Sequence, residues 1–261
     1  MKIALTGKGG VGKTTITASL CRYYAEKGFN VLAVDADPDA NLGLALGMSE
    51  EMIDSIVPIS EMKNLVEERT NAQKGTYGSL FRMNPDVADI PEKFSKSYNG
   101  VKLLTMGTVD TGGSGCVCPE HVLLKMLMTH LVLYQQDIVV MDMEAGIEHL
   151  GRGTASAVDA FIVIVEPGVR SIQTFKKISK MAGDIGVKQV YVIGNKITKQ
   201  EDKDFLTDRI GAENIIGFVD YRDEISASDR NNQSPYDDPG TKACIAELGE
   251  KIEAIVKDKK N

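Results

Sequence analysis

A mostly parallel twisted sheet of about seven or eight strands with helices on both faces, an α/β fold, is predicted by three observations. Short apolar runs recur along the 261 residues without polar alternation, and strands of that kind are buried on both faces, as in parallel sheets. Each run is followed by enough chain for the crossover helix that parallel pairing requires. The first run, Ile3-Ala4-Leu5, passes through a glycine-rich turn straight into helical sequence.

That turn is Gly7-Lys8-Gly9-Gly10-Val11-Gly12-Lys13-Thr14-Thr15. It fits G-x-x-x-x-G-K-[ST], in which glycines let successive N–H groups turn onto phosphate oxygens while a lysine reaches the terminal phosphates. The helix that follows adds its N-terminal dipole to the same anion. Gly9, Gly10, Val11, Gly12, Lys13, Thr14 and Thr15 are therefore candidate nucleotide-binding residues of a P-loop NTPase fold. The first helix is expected over 14 to about 27, stopped by Gly28, and 31–34 forms the second strand. Further strands are expected at 101–106, 137–141, 160–165, 189–193 and 214–219, with the strongest helices at 120–134, 171–185 and 239–257. Between 49 and 100 the pattern weakens into polar, Pro- and Gly-containing sequence, which predicts short helices and loops. No linker-like shift divides the chain, so 1–261 reads as one domain.

Composition excludes several classes. A formal charge of -7 argues against non-specific nucleic-acid binding, which needs a basic surface. No apolar run approaches the ~20 residues that span a bilayer, and Met1-Lys2 leads into the first strand without a signal peptide. A cytoplasmic protein with neither nucleic-acid nor membrane partners is expected. Four cysteines, two of them one residue apart, do not form a secreted disulfide framework.

In open parallel sheets functional groups gather at the carboxyl ends of strands. The second run ends in Asp35-Ala36-Asp37-Pro38-Asp39, three carboxylates in five residues, which implies a cation or an activated water between them unless the turn is merely solvated. The run 138–141 closes on Asp142, placed to hold Mg²⁺ together with Thr14, and Gly146 can offer its N–H to a γ-phosphate. Asn195, in Gly194-Asn195-Lys196-Ile197-Thr198, can bond a purine edge. A guanine site of the N-K-x-D type needs a carboxylate where Thr198 stands, so adenine, as ATP or ADP, is favoured.

Cys116 and Cys118 follow Gly112-Gly113-Ser114-Gly115 on a loop leading into a helix. In extended backbone residues i and i+2 face one side, giving two soft ligands a common direction. Two thiolates leave a tetrahedral site half made; a symmetric dimer would supply four, suited to Zn²⁺ or Ni²⁺. Reduced surface thiols or a strained local disulfide are the plain alternative. Cys21 and Cys244 read as buried small hydrophobes, His121 as surface, His130 as core or edge, and Met126 and Met128 as packing. His149 lies in the loop after Asp142.

Lys8 two positions before Gly10, with Lys13-Thr14-Thr15 following, resembles the deviant Walker A sequence K-G-G-x-G-K-[ST] of the SIMIBI ATPases, which include the nitrogenase iron protein, MinD, ParA and metal-cluster assembly ATPases. The resemblance implies that Lys8 reaches across a nucleotide-sandwich dimer, that Asp37 orients or activates the attacking water, and that Asp142 serves magnesium. The stretch from Asp142 through His149 to Thr154, together with Gly115-Cys116-Val117-Cys118-Pro119, is similar to the CooC-type nickel-accessory ATPases. That implies an ATP-hydrolysing, dimerising metallochaperone whose client is carbon monoxide dehydrogenase or acetyl-CoA synthase. An iron–sulfur carrier like the nitrogenase iron protein would need a cysteine after the Asp142 strand, and 143–154 contains none. A positioning ATPase like MinD would use an amphipathic terminal helix; Leu248, Ile252, Ile255 and Val256 have the spacing but read as docked on the sheet.

Overall fold

The computed structural model describes residues 1–72, 81–108, 118–144, 152–155, 157–187 and 189–258. Among the described residues eight strands, β1 (Lys2–Gly7), β2 (Val31–Ala36), β3 (Lys96–Tyr98), β4 (Val101–Thr105), β5 (Ile138–Met143), β6 (Ala160–Val165), β7 (Tyr191–Ile197) and β8 (Ile215–Asp220), form one sheet. Its order is β3-β4-β2-β5-β1-β6-β7-β8. Neighbours pair in parallel except β3 with β4. Every residue of β1, β2, β5 and β6 is buried, which is why these strands lack polar alternation.

Helices cover both faces: α1 (Lys13–Glu26), α2 (Leu42–Ala45), α3 (Glu50–Asp54), α4 (Lys63–Thr70), α5 (Ile90–Phe94), α6 (Pro119–Leu133), α7 (Arg152–Ala155), α8 (Val169–Asp184), α9 (Gln200–Ile210), α10 (Asp223–Arg230) and α11 (Pro239–Asp258). One core layer joins α4, α6, α8 and α9 to the sheet, with Leu127, Leu131, Phe175 and Leu206 among its members. The other joins α1, α2 and α11 through Ile16, Leu20, Tyr24, Leu42, Leu248 and Ile252. Pro119 starts α6 with its φ already set for a helix, while Cys118 remains extended just outside.

The expected strands all occur: 160–165 matches β6 at both ends, and no end of the others is shifted by more than four residues. The 49–100 stretch holds the short helices α3, α4 and α5, as expected, and also β3, an antiparallel edge strand whose Lys96 and Ser97 are exposed. Helix α9 fills the gap between β7 and β8 where the sequence left room for a crossover helix without giving it bounds. Only Leu206 and Ile210 in it are buried, and it starts on a local polar cap in which Asp202 accepts the N–H groups of Thr198 at 2.9 Å and Lys199 at 3.2 Å.

Candidate nucleotide site

Strand β1 lies between β5 and β6, and α1 springs from its carboxyl end, the place where open parallel sheets bind ligands. Two glycines shape the loop there. Gly7 (φ 155°) would put a Cβ 2.5 Å from the Ile164 carbonyl oxygen, and Gly12 (φ 92°) would drive one into the Asn195 side-chain amide. Strand β7 clamps the loop from the side. Asn195 donates from Nδ2 to the Val11 carbonyl at 2.7 Å, and Lys196 donates from Nζ to the Gly10 carbonyl at 2.6 Å. Lys13, 7% exposed, carries its ammonium 3.4 Å from Asp37 Oδ2.

The parallel register sets Asp35 of β2 directly beside Asp142 of β5, and Leu5 of β1 on the other side of Asp142. Thr14 donates its hydroxyl to Asp142 Oδ2 at 2.6 Å and Thr17 reaches Oδ1 at 3.4 Å. Burial pushes the Asp142 carboxyl up to about 6, against the Thr14 hydrogen bond and the Lys13 charge, with Asp37 adding to the rise. Burial likewise lifts Asp35 to about 7, against the N–H groups of Leu42 and Asp37, with the charges of Asp142 and Asp37 adding to it. Asp35 accepts the Leu42 N–H at 2.9 Å and the Asp37 N–H at 3.3 Å, so it fixes the turn that presents Asp37. Asp39 is exposed and donates its N–H to Asp37 Oδ1 at 3.1 Å. The three neighbouring carboxylates are thus Asp35, Asp37 and Asp142; the trio Asp35, Asp37, Asp39 read from sequence is corrected, because the turn at Pro38 leaves Asp39 in solvent. A buried carboxylate and a hydroxyl in contact, beside two further acids, are hard oxygen donors in a negative setting, which fits Mg²⁺.

A cleft of about 520 Å³ runs from Gly10, Lys13 and Thr15 to Asn41, Leu44 and Gln233. It adjoins a recess of about 80 Å³ walled by Ile16, Asn195, Tyr221, Arg222, Ile225 and Ile245. Asn195 lines the recess, with its Nδ2 donating to the Val11 carbonyl. The sequence reading missed Tyr221, Arg222 and Ile225. Their signal was position alone, immediately beyond the end of β8.

Cys116, Gly146 and His149 lie outside the described residues. Cys118 is half-buried, and burial pushes its thiol up. His121 is exposed and His130 half-buried beside Tyr134, while Met128 is buried and Met126 packs on the same core. Cys21 is fully buried, its thiol pushed far up by burial and then by the Asp142 charge. Cys244 is partly buried and packs against the core, its Sγ 3.5 Å from the Phe218 carbonyl oxygen. Among the described residues no cluster of three or more His, Cys, Asp or Glu side chains is placed to hold a metal ion.

Fold and loop together define a P-loop ATPase with a second lysine, Lys8, inside its phosphate loop. The chain belongs to the CobQ/CobB/MinD/ParA nucleotide binding domain family, whose model matches residues 2–236. It is 47% identical over 237 residues to the carbon monoxide dehydrogenase accessory protein CooC of Rhodospirillum rubrum, covering 91% of this chain and 90% of that one. It is also 47% identical to an uncharacterized ATP-binding protein of Methanocaldococcus jannaschii, over 88% of each chain. In fold it resembles the septum site-determining protein MinD of Pyrococcus horikoshii complexed with Mg-ADP, with a TM-score of 0.65 at 19% identity over 97% of this chain and 96% of that one.

Proposed function

We propose that the protein is an ATP-hydrolysing metallochaperone, one domain from 1 to 261, that works in the cytoplasm as a homodimer and helps load nickel into carbon monoxide dehydrogenase or acetyl-CoA synthase. The observation that carries this is the 47% identity to CooC across nine-tenths of both chains. The geometry supports the ATPase half. Backbone N–H groups of Gly9 to Thr15 and the Lys13 ammonium bind the phosphates, and Thr14 with Asp142 holds Mg²⁺, which neutralises charge on the phosphates. Asp37, presented by Asp35 and 3.4 Å from Lys13, orients the attacking water in this reading. Lys8 serves the phosphates of the other copy. Asn195 and the recess beside it take adenine.

Cys116 and Cys118 of two chains supply four sulfur ligands to Ni²⁺ or Zn²⁺. A thiol pushed up by burial must lose its proton to a metal, so binding releases protons and tightens with pH. Two observations count against other members of the family as models for function. Helix α11 has Leu248, Ile252 and Val256 buried in the core, so its apolar face is not free to lie on a membrane. No cysteine lies between 143 and 154 to hold an iron–sulfur cluster. Among the described residues no helix is long and apolar enough to cross a membrane.

Purified protein titrated with Ni²⁺ in the presence and absence of MgATP tests the whole reading. Nickel binding that is lost in Cys116→Ser and Cys118→Ser while ATP hydrolysis persists supports it; unaltered nickel binding in both variants contradicts it.

A further inference from the structure

Glu166 follows β6, outside the loop motif but beside it. Pairing of Gly7 with Ile164 and of Val165 with Gly194 brings the end of β6 against the phosphate loop on one side and the end of β7 on the other. Glu166 Oε1 lies 3.9 Å from Lys8 Nζ and Oε2 lies 3.6 Å from Lys196 Nζ. Lys196 also holds the Gly10 carbonyl, and its backbone is left-handed at φ 59°. A long side chain keeps that conformation only where its surroundings impose it. One carboxylate thus spans the lysine of the loop and the lysine that braces the loop.

We propose that Glu166 is a positioning residue for Lys8: it holds the Lys8 ammonium over its own chain, so that the triphosphate bound to a second copy must draw Lys8 away before the dimer closes. This rests on the reading of Lys8 as the lysine that serves the other subunit. The exchange is feasible because the contact is loose. Ion pairs near 4 Å between side chains 31% to 39% exposed are weak, whereas a triphosphate offers several charge-assisted bonds to one ammonium. Departure of Lys8 does not strand the acid, since Lys196 remains beside Oε2. Glu166 therefore permits the swap yet raises the protein concentration at which it occurs.

The test is the concentration of half-dimerisation with magnesium and a non-hydrolysable ATP analogue, measured by sedimentation for the parent, Glu166→Gln, Glu166→Asp, Lys8→Ala and the Lys8→Ala/Glu166→Gln double variant. Glu166→Gln should dimerise at about two- to five-fold lower concentration, and Glu166→Asp should return toward the parent. The difference between Glu166→Gln and parent should shrink as salt is raised. In the Lys8→Ala background Glu166→Gln should change nothing further. Unchanged or weaker dimerisation of Glu166→Gln, with Lys8→Ala defective, overturns the assignment of Glu166 alone. Parental dimerisation of Lys8→Ala overturns the cross-subunit reading, and this inference with it.

Discussion

Lys8 and Lys13 stand five positions apart in one loop, yet their surroundings divide their work. Lys13 is buried and faces Asp37, while Lys8 is half-exposed and faces Glu166. Lys13→Ala should abolish nucleotide binding in an equilibrium titration, because the buried phosphate cation is gone. Lys8→Ala should bind ATP nearly as the parent does but hydrolyse it about 10²-fold more slowly, the usual loss for one group that stabilises developing charge; a parental rate would remove Lys8 from the mechanism. Asp37→Asn should retain ATP in a lasting dimer, since it loses water orientation without losing a phosphate ligand. Asp142 gives a pH signature. Its folded carboxyl, raised to about 6 from 3.8, holds a proton that the unfolded chain releases. Its contribution to stability is therefore full below about pH 4 and lost as pH rises through 6. The difference in Tm between parent and Asp142→Asn should shift against the parent over that interval; a difference that stays flat would contradict the burial assigned to Asp142.

At the scale of elements, the loop is shaped as much by β7 as by its own glycines. Gly12 lies against the Asn195 amide, and Asn195 in turn ties Val11. Gly12→Ala should cost about 1–3 kcal/mol for backbone strain at φ 92° and should also weaken nucleotide binding, read by denaturant unfolding and by titration. Unchanged values in both would show that the clamp does not set the loop. The strands that build the site were legible because each is buried on both faces, and so was the loop, whose spacing is a backbone requirement. The bounds of helix α9 were not legible, only the room for it, because two buried residues in eleven leave no period to count. Nor was β3, three residues at an edge with most side chains in water. The recess walled by Tyr221, Arg222 and Ile225 escaped for another reason. Its residues come from a segment with no motif of its own, and only the fold brings it to Asn195.

At the scale of the molecule, α1 and α11 lie together on one face of the sheet, and the shared core absorbs the apolar stripe of α11. ATP should therefore not drive the protein onto anionic liposomes in co-sedimentation; nucleotide-dependent pelleting would return the positioning function to the front. In sequence the phosphate loop follows β1 and the Cys116–Cys118 pair falls between β4 and α6, and the two share no residue. Within one chain the end of β4 meets the acidic turn, since the Met106 N–H donates to the Asp35 carbonyl at 2.9 Å, and the proposed dimer adds a second route between the two sites. The most direct measurement is the nickel stoichiometry of the dimer, determined by native mass spectrometry with metal analysis on the parent and on Cys116→Ser/Cys118→Ser. One ion per two chains, promoting dimerisation and absent from the double variant, is the expected result. One ion per chain that survives loss of both cysteines would contradict it, and would move the metal to His121, His149 or the acids at Asp35 and Asp37.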